Sequence, residues 1–216
     1  MIAHLALLAA LSLAPLPEGR PETASAFVTQ DATRAIADRI IAAADAEGVF
    51  VNSSKGDVAQ VTHVASGMTC RFQGLPTDRV SIYPTVDGGP SRGDDVGCVY
   101  RDETLGIDIN VYATRYGTQV SEAEALRNAN AAIQQRYPDA TPYTGNLTTA
   151  SIAGQPAPLV SAFKVQGNGG EMLTLAMVSH RGEWAFKVRA TGPYAEARMV
   201  SLYSAMLLES SLTPMP

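Results

Sequence analysis

Hydrophobic and polar positions follow two periods along this chain, and each period predicts one type of element. In "GIDINVYATRY", Ile107, Ile109 and Val111 alternate with polar residues, which is the period of a half-buried strand. In "SEAEALRNANAAIQQRYPDA", Ala129 and Ile133 fall at helical spacing on one stripe. The chain therefore combines strands and helices.

Three helices are predicted, each with start or stop signals. The first lies in "TQDATRAIADRIIAAADAEG", where Asp31 can cap the first turn and Gly48 can end the helix. The second begins with a capping box at Ser121 and stops at Pro138. The third follows Pro193, which suits the first helical position, and contains "YAEARMVSLYSAMLLESSL".

Short strands are predicted in the remaining apolar runs. Residues 49–72 indicate two short strands or a hairpin, and residues 159–165 a further strand. The runs "EMLTLAMVS" and "EWAFKVRAT" form a predicted hairpin joined across residues 180–182. Earlier in the chain, after the strands of 49–72, residues 74–97 are rich in Pro, Gly, Asp and Ser and predict a long loop. The order of elements predicts an α+β fold with an antiparallel sheet packed with helices.

The last third of the chain has a recognisable pattern. Its hairpin ends in a "W-x-F-K-V-R-x-T-G-P" run and passes directly into an amphipathic helix. In this pattern, residues 155–210 resemble the C-terminal part of PsbP-like domains, which are small secreted or lumenal α/β/α sandwiches. The resemblance implies such a sandwich and a binding or assembly role. It carries no site residues, because those domains share no catalytic residue set.

The start of the chain predicts export. The first fourteen residues are apolar apart from His4 and Ser12, too short for a membrane span and suited to a signal peptide. Residues 24–26, Ala-Ser-Ala, have the small-x-small form of a cleavage site. We expect a signal peptide over residues 1–26 and a single α+β domain over 27–216, periplasmic or secreted and without a membrane span. The alternative is a buried N-terminal helix of a cytosolic protein.

Composition narrows the class of partner. The chain has 216 residues, of which 46% are hydrophobic and 17% charged, as expected of a globular domain. The net charge is −5, and no cluster of Lys and Arg exceeds a pair. Because phosphate binding needs a concentrated basic surface, a nucleic-acid partner is not predicted.

Cys70 and Cys98 are the two cysteines of the chain. In an exported protein an even count favours pairing, and a bridge of this span restricts the unfolded chain by about 3–4 kcal/mol in the loop-entropy model. A thioredoxin-type site needs cysteines two residues apart, and a zinc site needs four clustered ligands. A structural disulfide bracketing the 71–97 loop is therefore predicted.

Candidate catalytic groups are few. The chain contains no G-x-S-x-G, H-E-x-x-H, P-loop or dinucleotide-binding motif. A carboxylate and histidine site under the 71–97 loop, made of Asp94 or Asp95 with His63 or His180, is the enzymatic alternative. Clustered loop carboxylates also attract Ca²⁺, but the EF-hand pattern is missing, so no metal and no cofactor are predicted. The loop carboxylates are Asp87, Asp94, Asp95, Asp102 and Glu103.

The arginines and tyrosines in and beside the loop form the predicted contact set, since these residue types are over-represented at binding surfaces. They are Arg71, Arg79, Tyr83, Arg92, Tyr100 and Arg101. The sequence thus favours a non-catalytic binding or assembly module of the cell envelope, with an unidentified protein or small-molecule partner. Two alternatives stay open: an envelope hydrolase, and a secreted inhibitor-like module that presents the loop.

Overall fold

The structure, a computed structural model, describes residues 29–84, 91–167 and 169–213. The predicted signal peptide, Phe27 as the mature N-terminus, and Asp87 lie outside these residues. The described residues form three α-helices: α1 (Gln30–Ala43), α2 (Glu122–Arg136) and α3 (Ala197–Leu212). The same residues form ten strands: β1 (Phe50–Asn52), β2 (Ala59–His63), β3 (Thr69–Phe72), β4 (Arg79–Ile82), β5 (Asp95–Asp102), β6 (Ile107–Arg115), β7 (Thr141–Pro142), β8 (Leu159–Gly167), β9 (Gly170–Arg181) and β10 (Trp184–Pro193).

The strands form two antiparallel sheets, which confirms the predicted fold class. The small sheet has the order β1-β2-β3, and the large sheet has the order β4-β5-β6-β10-β9-β8-β7. In the large sheet β10 lies at the centre, pairing Val188 with Val111 of β6 and with Met177 of β9. The pairing of β6 with β10 joins strands that are far apart in the chain. On either side of this pair, strands that are consecutive in the chain lie next to each other in the sheet.

The two faces of the large sheet have different covers. One face carries Val111, Phe186 and Leu175, all fully buried under α1, α3 and the small sheet. The opposite face is covered by α2 over β8 and β9, where Ile133 packs with Phe163 and Val165. Helices therefore lie on both faces of the sheet, but α2 covers only part of its own.

The cysteines join the two sheets. Cys70 in β3 and Cys98 in β5 form a disulfide with a Cα–Cα distance of 6.1 Å, and both residues are fully buried. The predicted pairing is confirmed, and the bridge brackets the 71–97 segment. That segment is less irregular than predicted, because β4 lies inside it and pairs with β5. A disulfide is typical of proteins outside the cytoplasm.

Three helix boundaries differ from the expectation. The helix α1 ends at Ala43 rather than at Gly48, because Asp45 already adopts a positive φ of 48°. Thr29, rather than Asp31, caps α1 by accepting a hydrogen bond from the Ala32 amide at 3.3 Å. Pro193 ends β10 instead of starting the last helix, and a 3₁₀ turn over Tyr194–Glu196 precedes α3. The predicted start of α2 is confirmed, because Ser121 is its N-cap and the Ser121 hydroxyl accepts from the Glu124 amide. No helix in the described parts of the chain has the length and apolar character needed to cross a bilayer.

Candidate functional site

A cleft lies between α2 and the uncovered half of the large sheet. Its floor comes from the polar positions of β6 and β10, which alternate with the buried ones and so point away from the main core. The register places Lys187 directly opposite Tyr112, and Tyr112 directly opposite Gly97 of β5. One row across three strands therefore presents a lysine, a tyrosine and a glycine.

Gly97 makes room for a second tyrosine. The Tyr83 ring lies over this glycine, so that a Cβ added to Gly97 would stand 3.2 Å from the Tyr83 ring and 3.2 Å from the Val111 carbonyl oxygen. The Tyr83 and Tyr112 rings stack with centroids 5.5 Å apart and planes inclined by 34°. The absent side chain at Gly97 thus permits an aromatic pair at one end of the cleft.

Lys187 is held by aromatic rings rather than by a carboxylate. Its Nζ lies 5.6 Å from the Tyr112 ring centroid and 5.5 Å from that of Tyr116, within the range of cation–π attraction. The ammonium also donates a hydrogen bond to the Tyr116 hydroxyl at 3.3 Å. These contacts hold the ammonium between two tyrosines on the cleft floor.

The facing wall is the side of α2 that carries small residues. Ala125, Asn128, Ala129 and Ala132 line the cleft from the helix. Their short side chains leave space where longer residues would reach the sheet. Together with Tyr83, Asp95, Tyr112, Tyr116, Lys187 and Arg189 they enclose a cavity of about 250 Å³. We call these ten residues the tyrosine–lysine cleft.

The hydroxyls of Tyr83 and Tyr112 stay protonated at neutral pH. Burial raises the pKa of Tyr83, and the neighbouring Tyr112 adds to the effect. Burial likewise raises the pKa of Tyr112, although a hydrogen bond from Tyr83 and the charge of Arg189 act in the opposite direction. A neutral phenol has one O–H to donate; Tyr83 donates its hydrogen bond to Tyr112, so the Tyr112 hydroxyl is the one that can donate to a ligand acceptor.

The charged side chains of the cleft are two cations and one carboxylate. Lys187 and Arg189 are half-buried on β10. Asp95 accepts a hydrogen bond from the Thr114 hydroxyl at 2.6 Å. In the part of the chain that the structure describes, no salt bridge involves Lys187 or Arg189. Both cations therefore remain free of a carboxylate partner, although the whole chain is acidic.

The six predicted contact residues are not brought together. Arg71 donates hydrogen bonds to the Gln60 side chain and, at 3.1 Å, to the Thr213 carbonyl. Arg92 donates to the Asp45 carbonyl at 2.6 Å, and Arg101 pairs with Asp108 at 3.4 Å. These three arginines thus have separate intramolecular partners.

Strand alternation separates the remaining three. Tyr100 is on the core side of β5, where its ring contacts Phe72 at 5.4 Å and its hydroxyl is buried. Arg79 is exposed at the start of β4, and Tyr83 follows the end of that strand. Of the predicted set, Tyr83 is the member that lines the tyrosine–lysine cleft. A contact role for the other five stays a prediction.

His63 is a buried ring of the core. It is 1% exposed and lies between Phe50 and Trp184, with ring centroids 5.3 Å and 5.2 Å away. The Ser66 amide donates to its Nδ1 at 3.3 Å, which assigns the proton of the neutral ring to Nε2. Burial lowers the pKa of His63 to about 4, more than the nearby charge of Asp94 raises it. The ring is therefore neutral at pH 7.

Asp94 serves as the partner of an arginine. Its carboxylate accepts two hydrogen bonds from Arg115, at 2.9 Å from Nε and 2.6 Å from one terminal nitrogen, and one from the Ser91 amide at 2.8 Å. Asp94 is buried, and neither it nor His63 lines either of the two cavities described in this section. The pair lies close together, but in the packed interior rather than at a cleft.

The other proposed catalytic pair is divided between two cavities. Asp95 lines the tyrosine–lysine cleft, and His180 lines a second cavity of about 730 Å³ beside the start of α2. Glu183 also lines this second cavity, but its side chain is 80% exposed and reaches Arg115 at 3.8 Å. The His180 Nε2 is buried without a hydrogen-bond partner among the described residues. Among the described residues no hydrogen bond joins the His180 ring to a carboxylate, as orientation of a general base requires; the Glu122 carboxylate accepts from the His180 amide instead.

Several cleft residues lack any local signal in the sequence. The sequence pattern places three of them, Tyr112, Lys187 and Arg189, at the polar positions of alternating strands, and such positions predict only solvent exposure. Their meeting depends on the register between β6 and β10, and these strands are far apart in the chain.

Comparisons with known proteins show no family for this chain. No protein family model and no curated protein sequence matches the chain. One similar solved structure is LpqN of Mycobacterium tuberculosis, involved in cell envelope biogenesis, with 17% identity over 63% of this chain and 84% of that one and a TM-score of 0.35. Another is PA94 of Pseudomonas aeruginosa, of unknown function, with 12% identity over 73% and 98% and a TM-score of 0.39. Neither likeness is close enough to transfer a role. The resemblance to PsbP-like domains is supported only in its coarser part, the α+β fold.

Replacing Gly97 with alanine is expected to displace Tyr83 and to destabilise the protein by about 1 kcal/mol, because the new methyl group would overpack the space between the ring and the Val111 carbonyl. Urea denaturation and the NMR shifts of the Tyr83 ring measure the two effects. Gly117→Ala is the matched control, since nothing lies within 4 Å of a Cβ there. Unchanged Tyr83 shifts in the Gly97→Ala protein would contradict the described packing.

Proposed function

We propose that this chain is an exported, non-catalytic binding module of the cell envelope, a single α+β domain over residues 27–216, and that the tyrosine–lysine cleft is its ligand site. The observation that carries the proposal is the cleft itself: a cavity floored by tyrosine rings and lined by two neutral phenols and by two cations that form no salt bridge among the described residues. A concave site with a few convergent polar groups is the usual form of a small-molecule site.

The position of the histidines favours binding over hydrolysis. A hydrolytic site needs a base oriented by a third group and placed next to a nucleophile or water. His63 is enclosed by aromatic rings, and its neighbour Asp94 is taken by Arg115. His180 has no side-chain partner on Nε2 among the described residues. A non-catalytic role accounts for these contacts without further groups.

The inhibitor-like alternative places the function on the 71–97 segment. Part of that segment is β4, paired with β5 inside the large sheet, and Asp78 fixes its first turn by accepting hydrogen bonds from the amides of Gln73 and Leu75. The segment is thus tied to the sheet on one side and to the disulfide at its ends. We propose the cleft as the site in preference to this segment.

An amide NMR titration of the disulfide-bonded protein with a fragment library tests the proposal. Binding fragments are expected to shift the amides of Tyr83, Tyr112, Tyr116 and Lys187 and to be recovered unchanged. Fragments that shift residues of the second cavity and are hydrolysed, with the reaction lost in His180→Ala, would establish the enzyme instead. Shifts confined to residues 71–82 would move the site to the segment between the cysteines.

A further inference from the structure

We infer that the tyrosine–lysine cleft takes a compound in which a carboxylate, or an equivalent oxyanion, is attached to a single ring. This inference rests on the proposed binding role of the cleft and adds the chemical class of the ligand. It is carried by the charges that face the cavity, by the tyrosine rings around Lys187, and by the size of the space.

The cleft carries more positive than negative side chains, whereas the whole chain has a net negative charge. The net charge is −5, yet the cavity is lined by Lys187 and Arg189 against the single carboxylate of Asp95. A further cation, Arg136, is close enough to act on the ionisation of Tyr112. A concave site whose lining carries a net positive charge concentrates anionic ligands. With two cations against one carboxylate in its lining, the cleft favours an anion although the whole chain is acidic.

A second lysine on the same sheet has a carboxylate partner within the chain and serves as a comparison for Lys187. Lys164 of β8 lies 5.0 Å from the Tyr194 ring centroid and forms a salt bridge with Glu171. Lys187 has the same aromatic setting but no carboxylate in the described part of the chain. The partner that Glu171 supplies to Lys164 is therefore missing at Lys187, and an anionic ligand can supply it.

The tyrosines provide contact for a ring. Rings of tyrosine offer flat apolar faces with a polar edge, and they stack on planar or pyranose rings while their hydroxyls bind polar groups. The cavity of about 250 Å³ lies just below the range of roughly 300–1,000 Å³ typical of drug-sized ligands, so it suits one ring rather than an oligomer. Tyr83 and Tyr112 form an aromatic pair at one end of the cleft.

Two sources of such an anion share this chemistry, an aromatic acid and a sugar acid. Asp95 uses one hydrogen bond from Thr114 and retains acceptor capacity, and Asn128 lies across the cleft on α2. Hydroxyl groups of a sugar acid would engage both residues. An aromatic acid would depend on stacking and on the two cations alone. The experiment separates the two sources by using one matched pair of probes for each.

The test is calorimetric titration with benzoate against benzamide, and with D-glucuronate against methyl glucoside. We expect the acid of at least one pair to bind about tenfold more tightly than its neutral partner, and Lys187→Met to remove that difference. Lys164→Met removes the same charge from the same sheet and is expected to leave both affinities unchanged. Arg189→Gln is a second variant, expected to weaken the acid severalfold should Lys187→Met fail to fold.

Each result bears on a definite claim. Equal affinity for acid and neutral probes, or equal losses in Lys187→Met and Lys164→Met, would overturn the anion inference. If the fragment library binds in the cleft while none of the four probes does, the ligand class is wrong and the binding site stands. If neither the library nor the probes shift cleft residues, the proposed function fails together with this inference.

Discussion

Replacing Cys98 with alanine, together with Cys70, is expected to lower the free energy of unfolding by about 2–5 kcal/mol. The bridge joins β3 of the small sheet to β5 of the large one, and both residues are fully buried. Breaking it removes a constraint on the unfolded chain between two positions whose sequence separation is 28. The folded sheets keep their remaining contacts, so the variant is expected to fold with a reduced margin.

Urea denaturation with circular dichroism measures the loss, and two controls separate its causes. Wild-type protein treated with reductant keeps both sulfur atoms, so a similar shift there assigns the loss to the bond rather than to lost packing. The single variant Cys98→Ser adds a buried hydroxyl, so it is expected to lower the free energy of unfolding by more than Cys98→Ala does. Mass spectrometry of unreduced protein should show a mass two hydrogens below the reduced form. A double variant as stable as the oxidised protein would mean that other contacts join the two sheets.

Elements with a clear local period were predictable from the sequence. In β6, Ile107, Ile109 and Val111 alternate with polar residues, and the structure buries all three against the main core. The second helix begins at Ser121, as its capping box predicts. In both cases neighbouring residues decide the structure, because hydrophobic periodicity and capping act over a few positions.

Elements that depend on distant pairing were predicted less well. The strand β4 has four residues and occurs in a stretch rich in turn formers, so its local pattern indicates a loop. It becomes a strand because β5 offers a free edge, with Val80 opposite Cys98. Pro193 has a similar explanation. Its ring suits a helix start, yet the chain is already held at the end of β10 by pairing with Met172.

The candidate site shows the same limit. Tyr83 was predicted to be a contact residue from its type and its place near the loop, and it lines the cleft. Lys187 and Tyr112 become neighbours only through the register of β6 and β10, and Gly97 joins them through β5. Conversely Tyr100, chosen on the same grounds as Tyr83, is on the core side of β5. Face and register, which a single sequence leaves open, decide which aromatic residue can reach a ligand.

Lowering the pH from 7 to 4 is expected to cost the protein about 3 kcal/mol of stability through His63 alone. The folded-state pKa of His63 is about 4, whereas a histidine in the unfolded chain titrates near 6.5. Between these values the unfolded state binds a proton that the folded state does not. The contribution of His63 to the free energy of unfolding is therefore fully present above about pH 6.5 and declines as the pH falls toward 4.

NMR titration of the His63 ring tests the origin of this effect directly. The Cε1–H signal is expected to keep its neutral position down to about pH 5 in the folded protein and to titrate near pH 6.5 in urea. His63→Phe keeps an aromatic ring between Phe50 and Trp184 but cannot take up a proton, so its stability should fall less steeply with acid than that of the wild type. A folded-state midpoint near 6.5 would show that the ring reaches water, and it would reopen a catalytic role for His63 beside Asp94.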